Sequence, residues 1–216
     1  MVAQPYPFDL TYLTHPTYPT YPTYPTVVEA MMGAFVPGGL TMRVRFVAVV
    51  LAVAVAGVAY AQQVTKKSVP GVTNFATIET TVACAGAVDA SAIPDIKKLG
   101  FKAIINLRQA SEQGANIEGS TAAAKAAGIT YLNIPFNAQD PSPNLVPDFL
   151  AAVSNPANQP AFIHCAAGGR AATMWMIKRL KVDGWEQQKA IDEAVALGMA
   201  NERLKTFALD WVQAHK

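Results

Sequence analysis

The sequence predicts an α/β domain of three layers, with a central, mostly parallel sheet of four to five strands flanked by helices. Three observations carry this. Short apolar runs such as "FKAIINLR", "ITYLNIPF" and "PAFIHC" alternate with longer stretches of helical period. Strands that alternate with helices form parallel sheets covered on both faces. In the stretch "PAFIHCAAGGRAATMWMIKRL" (160–180), a strand runs through His-Cys into two small residues, two glycines and an arginine before a helix begins. In such folds ligands bind beyond the carboxyl ends of the strands, and Cys165 stands at such an end.

In chain order, "QQVTKKSVPGVTN" (62–74) reads as a linker and the domain proper occupies 75–216. "IETTVACAG" has the β-branched content of a short first strand. "DASAIPDIKKLG" reads as an amphipathic helix with Asp89 or Ser91 as N-cap and Gly100 as stop. Pro94 then falls in its first turn, where a missing N–H is tolerated. "FKAIINLR" is a buried strand, and "NIEGSTAAAKAAG" a helix closed by Gly128. The strand "ITYLNIPF" opens into the loop "NAQDPSPN", and "LVPDFLAAVSN" is the next helix. "PAFIHC" follows as a strand, and helices over roughly 170–182, 185–197 and 201–215 finish the chain.

The first 41 residues read differently. "THPTYPTYPTYPT" is a Thr-Tyr-Pro repeat with too few aliphatic residues to build a core, so 1–41 are expected to be a disordered leader or an over-extension of the gene. Met42 then opens "MRVRFVAVVLAVAVAGVAYAQQ", where Arg43 and Arg45 precede an apolar run that ends in Ala59-Tyr60-Ala61. This is the pattern of a secretory signal peptide over 42–61, which predicts a periplasmic or secreted protein. Its apolar run of about 15 residues falls short of the roughly 20 that span a bilayer, so no stable membrane span is expected after cleavage.

The formal net charge is only +2 and no basic run occurs, which argues against nucleic acid as a partner. Of the two cysteines, Cys84 and Cys165, neither lies near the signal's end, so a lipid anchor is not expected. In an oxidising compartment the two admit one structural disulfide. Beyond the signal only His164 and His215 remain as histidines, and no cluster has metal-ligand spacing. Neither a metal nor another cofactor is expected.

The loop after Cys165 carries the chemistry. Ala166, Ala167, Gly168 and Gly169 have side chains small enough for the backbone to curl tightly and aim several N–H groups inward, forming an anion-binding nest. The helix that follows adds the partial positive charge of its N-terminus, and Arg170 offers a planar fork to two oxygens. A phosphate and the thiolate of Cys165 are both favoured in that field.

"HCAAGGR" resembles the phosphate-binding loop of the cysteine-dependent protein tyrosine and dual-specificity phosphatases. "IKKLGFKAIINLR", "AAKAAGITYLNIPF" and "VDGWEQQKAIDEAVALG" fall in the order seen in the bacterial phosphatase-like domain of beta-lactamase hydrolase-like proteins. The resemblance runs from about 76 to 198 and implies a phosphotyrosine phosphatase-like fold. It departs in three places. The four residues 166–169 make a loop one shorter than in most such phosphatases, a length that the beta-lactamase hydrolase-like group shares with rhodanese sulfurtransferases. Ala171 stands where a Ser or Thr often stabilises the cysteine thiolate, with Thr173 as a candidate substitute. "CAGAVDAS" stands where relatives often carry Gly-Gln-Pro.

By this resemblance, Cys165 attacks phosphorus to give a phosphocysteine, while Arg170 and the loop amides hold the phosphate oxygens. The implied partner is a phosphorylated substrate, whether protein, lipid or small molecule. The family's general acid is an aspartate on an upstream loop, for which Asp140 is the candidate; the rival reading makes it an Asp-Pro turn former. Asp148 better suits a helix N-terminus. His164 reads as a residue that fixes the loop by hydrogen bonds. Arg108 either orients substrate or pairs with Glu112. Met174, Trp175 and Met176 read as core. Cys84 is either a buried thiol or a regulatory disulfide partner of Cys165. Two alternatives to a phosphatase stay open: a rhodanese-like sulfurtransferase, and a module that binds phosphate without turnover.

Overall fold

The computed structural model describes residues 64–78 and 82–216. The expected leader and signal peptide lie outside these residues. Six strands form one sheet: β1 (Thr65–Lys66), β2 (Ala76–Ile78), β3 (Val82–Ala85), β4 (Ala103–Asn106), β5 (Thr130–Asn133) and β6 (Ala161–His164). Their spatial order is β1-β2-β3-β6-β4-β5. The four strands from β3 to β5 are parallel, while β1 and β2 add antiparallel pairs at one side. The expectation of four to five strands is therefore corrected to six.

Both extra strands come from segments that composition misread. The single strand expected at 78–86 is a hairpin-like pair, β2 and β3, in register from Ala76 opposite Cys84 to Ile78 opposite Val82. The expected linker 62–74 contributes β1, which sets Lys66 opposite Ala76, and a turn at Pro70-Gly71. Gly71 has φ +71° and the N–H of Val72 bonds the carbonyl of Val69 at 3.0 Å, the pattern of a Pro-Gly turn that needs a left-handed residue. An edge strand requires only backbone partners, so polar side chains do not announce it.

Helices cover both faces. On one side lie a 3₁₀ turn (Ala90–Ala92), α1 (Ile93–Lys98) and α2 (Ile117–Ala127). Gly128 caps α2 in the left-handed conformation and Pro94 sits in the first turn of α1, as the sequence predicts. The other side holds α3 (Leu145–Ser154), α4 (Gly169–Lys181), α5 (Gln187–Ala196) and α6 (Glu202–Ala214). No helix among the described residues is long and apolar enough to cross a membrane.

Strand alternation divides the core in two. Ile105, Ile163 and Cys84 face α3 to α6, whereas Ala83, Ile104 and Phe162 face α1 and α2. Phe162 is fully buried, stacked on Phe75 at 5.8 Å and edge-on to Phe101 at 5.4 Å. Truncating such a side chain to alanine costs about 3–5 kcal/mol. The middle strands β6 and β4, buried along their length, thus form a rigid base, and their carboxyl ends share one edge: His164 lies beside Ala85 and Asn106. Cys165 is the next residue beyond that edge.

Candidate active site

The loop 165–169 is curled as its small residues dictate. Carbonyls turn outward: that of Ala166 accepts from the N–H of Ala87 at 2.9 Å, and that of Ala167 from Nδ2 of Asn74 at 3.0 Å. One N–H turns inward, with Gly168 donating to Sγ of Cys165 at 3.1 Å. Gly168 carries the bend at φ +105°, a conformation that disfavours any side chain, and the first turn of α4 starts there. Gly86 is needed for another reason: a Cβ there would lie 3.0 Å from the carbonyl oxygen of Ala166. Cys165 itself is buried.

Arg170 enters from the start of α4 and is almost entirely buried. Its Nη1 and Nη2 donate to Oε1 and Oε2 of Glu112, each at 2.6 Å. Nη1 also reaches the carbonyls of Phe136 at 2.8 Å and Leu107 at 3.2 Å, the residues that prolong β5 and β4 past the sheet edge. The guanidinium is therefore fixed in place by three segments. Burial would raise the Glu112 carboxyl, but hydrogen bonds from Arg170 and the backbone of Gln109, with the Arg170 charge, outweigh it and hold it at about 2. Burial opposes the charge of Arg170 too, yet the bonds to Glu112 and the nearby Cys165 raise its pKa.

Glu112 is the functional residue that the sequence reading missed, having been noted only as a partner for Arg108. The only signal available in the sequence is that Glu112 is the single acid in the loop after a central strand. Arg108 resolves to the pairing role: Nε donates to Glu112 at 3.3 Å, and the two terminal nitrogens bond the carbonyls of Gln113 and Gly114. Arg108 thus closes the loop that presents Glu112.

His164 is buried with Nδ1 unpartnered, and its ring takes part in backbone hydrogen bonds at Cys165 and Gly86. Burial, reinforced by the charges of Arg108 and Arg170, outweighs those bonds and lowers it to about 4, so the imidazole is neutral at pH 7. Thr173 does not take the role considered for it, because its hydroxyl donates to the carbonyl of Gly169 at 2.8 Å. Met174, Trp175 and Met176 are core, with the Trp175 indole bonded to Glu193 at 2.7 Å. Cys84 and Cys165 are both free thiols in one core cluster. Burial, then the charges of Cys165 and Glu193, push the Cys84 thiol far up, which makes it a neutral, inert group.

Asp140 is exposed in the loop after β5, four residues beyond Phe136, whose carbonyl holds Arg170. The adjacent carbonyl of Gln139 accepts from Nη1 of Arg203 in α6 at 2.9 Å, so the loop is anchored beside the acid while the carboxylate stays without a hydrogen-bond partner among the described residues. Asp148 lies exposed in the first turn of α3, where its charge suits the helix N-terminus.

A tightly curled loop with the Gly168 N–H turned inward, a thiol at its base and a clamped guanidinium can form a receptor for a tetrahedral oxyanion with a nucleophile beneath it. Comparison with known proteins gives the fold and the family. No curated protein sequence matches the chain. Among solved structures, a putative phosphatase from Shewanella putrefaciens is 20% identical with a TM-score of 0.57, covering 67% of this chain and 92% of that one. The catalytic core of the PP-IP phosphatase SIW14 from S. cerevisiae, solved with citrate, is 23% identical with a TM-score of 0.54, over 66% and 87% of the two chains. TpbA from P. aeruginosa is 19% identical with a TM-score of 0.53, over 71% and 90%, and a variant of it was solved in complex with phosphotyrosine. At these identities the likeness establishes the fold. The model of the phosphatase-like domain of beta-lactamase hydrolase-like proteins matches residues 74–181, half of the chain, and includes every residue of the loop and its clamp. The chain belongs to that family, a branch of the cysteine-dependent protein tyrosine phosphatase superfamily, and is a phosphoric monoester hydrolase of that type.

Proposed function

We propose that this protein is an exported phosphatase that hydrolyses phosphate monoesters through a phosphocysteine intermediate. The observation that carries the mechanism is the arrangement of Cys165 beneath an inward N–H and beside an arginine already locked by Glu112. In the first step the Cys165 thiolate attacks phosphorus, forming the S–P bond as the ester P–O bond breaks. The leaving oxygen takes a proton from Asp140. In the second step water gives a proton to the Asp140 carboxylate as its oxygen attacks phosphorus, and the S–P bond breaks to release phosphate and the thiolate. Arg170 and the amides of residues 166–170 hold the non-bridging oxygens throughout, which is electrostatic stabilisation by donors that need no reorganisation.

The substrate is a phosphorylated molecule, in keeping with the phosphotyrosine bound by the TpbA variant. Export rests on the signal-like segment 42–61, and amino-terminal sequencing of the protein recovered from the periplasm or medium should begin near Gln62. Turnover is tested by parallel assays with p-nitrophenyl phosphate and thiosulfate. Release of nitrophenol supports the phosphatase. Sulfur transfer from thiosulfate without phosphate release replaces it with a sulfurtransferase, since the four-residue loop 166–169 would equally cradle a persulfide. Silence in both assays with phosphate still bound leaves a binding module.

A further inference from the structure

Beside the catalytic loop lies a cavity of about 450 Å³ that the proposed mechanism does not use. Lys66, Lys67 and Ser68 of the β1 segment form one wall, and Ala167 with Leu197 and Gly198 forms another. We propose that this cavity binds a second phosphate group of the substrate, so that the enzyme acts on small molecules carrying more than one phosphate. This deepens the phosphatase reading and rests on it for its catalytic meaning.

The lining is electrostatically one-sided. It contains two lysines and no acidic residue, and neither lysine forms an ion pair among the described residues. Both are exposed. The hydroxyl of Ser68 adds a donor. The offset from the catalytic loop is also fixed. Asn74, held at φ +50°, donates through Nδ2 to the carbonyl of Ala167 at 3.0 Å, and the N–H of Lys67 bonds the carbonyl of Phe75 at 3.0 Å. The lysine wall and the phosphate loop are thereby tied together through one short segment, and Ala167 belongs both to the loop and to the lining of the cavity. A cavity of this size takes a small molecule, whereas a folded partner needs a face of about 800 Å².

Calorimetric titration with inorganic tripolyphosphate and with orthophosphate tests the site, using the Cys165→Ser protein so that no probe is consumed. Orthophosphate reports single-phosphate binding, whereas tripolyphosphate can occupy the loop and the cavity with one molecule. Tripolyphosphate is expected to bind at least about tenfold more tightly, and Lys66→Gln/Lys67→Gln to reduce that ratio about fivefold or more. The control pair Lys102→Gln/Lys125→Gln removes the same charge elsewhere and should leave the ratio unchanged. An unchanged ratio in the first pair overturns the subsite. An equal fall in the control pair overturns it as well, since the effect is then the general field of the protein. A glutamate-flanked phosphotyrosine peptide whose affinity depends on Lys66 and Lys67, while that of tripolyphosphate does not, assigns the lysines to a phosphoprotein instead. These titrations are independent of turnover, so a protein that releases no nitrophenol but keeps the lysine-dependent ratio loses the phosphatase reading and retains the subsite.

Discussion

Arg170 and Glu112 meet as two matched forks, each terminal nitrogen of the guanidinium on its own carboxylate oxygen at 2.6 Å, although they stand 58 positions apart in sequence. The pair orients the guanidinium before any substrate arrives, and it leaves the loop side of Arg170 for phosphate. Glu112→Gln keeps the shape but loses one acceptor and the charge. We expect kcat/KM for p-nitrophenyl phosphate to fall about 10–100-fold, and stability by about 1–3 kcal/mol, the cost of leaving a charged donor poorly satisfied. Steady-state kinetics and urea unfolding of the two proteins measure both. A variant with wild-type kinetics would show that phosphate alone positions Arg170.

Acid should unfold the protein in two windows. The Glu112 carboxyl is depressed from 4.5 to about 2, so its contribution is complete above 4.5 and is lost as pH falls through 2. His164 is depressed from 6.5 to about 4 mainly by burial; the unfolded chain then binds the proton more readily, and stability falls as pH drops from 6.5 to 4. Urea midpoints across pH 3–7 should decline in the wild type. The Glu112→Gln profile should be flatter below pH 4.5 and unchanged in slope above it.

Cys165→Ser should abolish turnover while preserving the fold and phosphate affinity, because the hydroxyl fills nearly the same volume but is a far weaker nucleophile. Arg170→Lys should be severely impaired, since an ammonium cannot satisfy both Glu112 and two phosphate oxygens from one point. Retained turnover in the first variant removes the phosphocysteine; unchanged kinetics in the second moves the anion site elsewhere.

Gly86 tests how closely the loop is held. A Cβ there would press the Ala166 carbonyl at 3.0 Å and Thr73 at 3.1 Å, neither the end of a flexible side chain. Gly86→Ala should therefore shift the loop by a few tenths of an ångström and lower kcat/KM by about tenfold or more, because displacements of that order spoil a near-attack geometry. Equal activity in wild type and variant would mean that the loop tolerates displacement.

What the sequence makes legible here is local. The αL stop at Gly128, Pro94 in a first turn and the strand that delivers Cys165 all follow from short-range rules, and each stands as expected. The loop 165–170 was readable because small residues leave a tight curl as the natural conformation. Glu112 and Asn74 were not, because their roles depend on approach between elements far apart in sequence: Glu112 meets Arg170, and Asn74 meets Ala167, 93 residues away. The β1 segment escaped for a different reason. Its strand carries no buried side chain, so nothing in its hydrophobic pattern marks it.

Asp140 gives the sharpest test of proton donation. Its loop leaves β5 beside the carbonyl of Phe136 that holds Arg170, and Arg203 anchors the neighbouring Gln139, so the carboxyl is free to turn toward the leaving oxygen. If Asp140 supplies that proton, its importance must scale with the leaving group's need for one. An alkoxide leaves poorly unless protonated, whereas p-nitrophenolate departs as a stable anion. Asp140→Asn should therefore slow an alkyl phosphate by about 10²–10⁴-fold, the range for general acid catalysis, and p-nitrophenyl phosphate much less. The two substrates are compared in wild type and variant at matched pH, with kcat and KM separated so that altered binding is not read as altered chemistry. Equal losses on both would mean that Asp140 serves only to shape its Asp-Pro turn, and the proton would then have to come from Asp148 or from water.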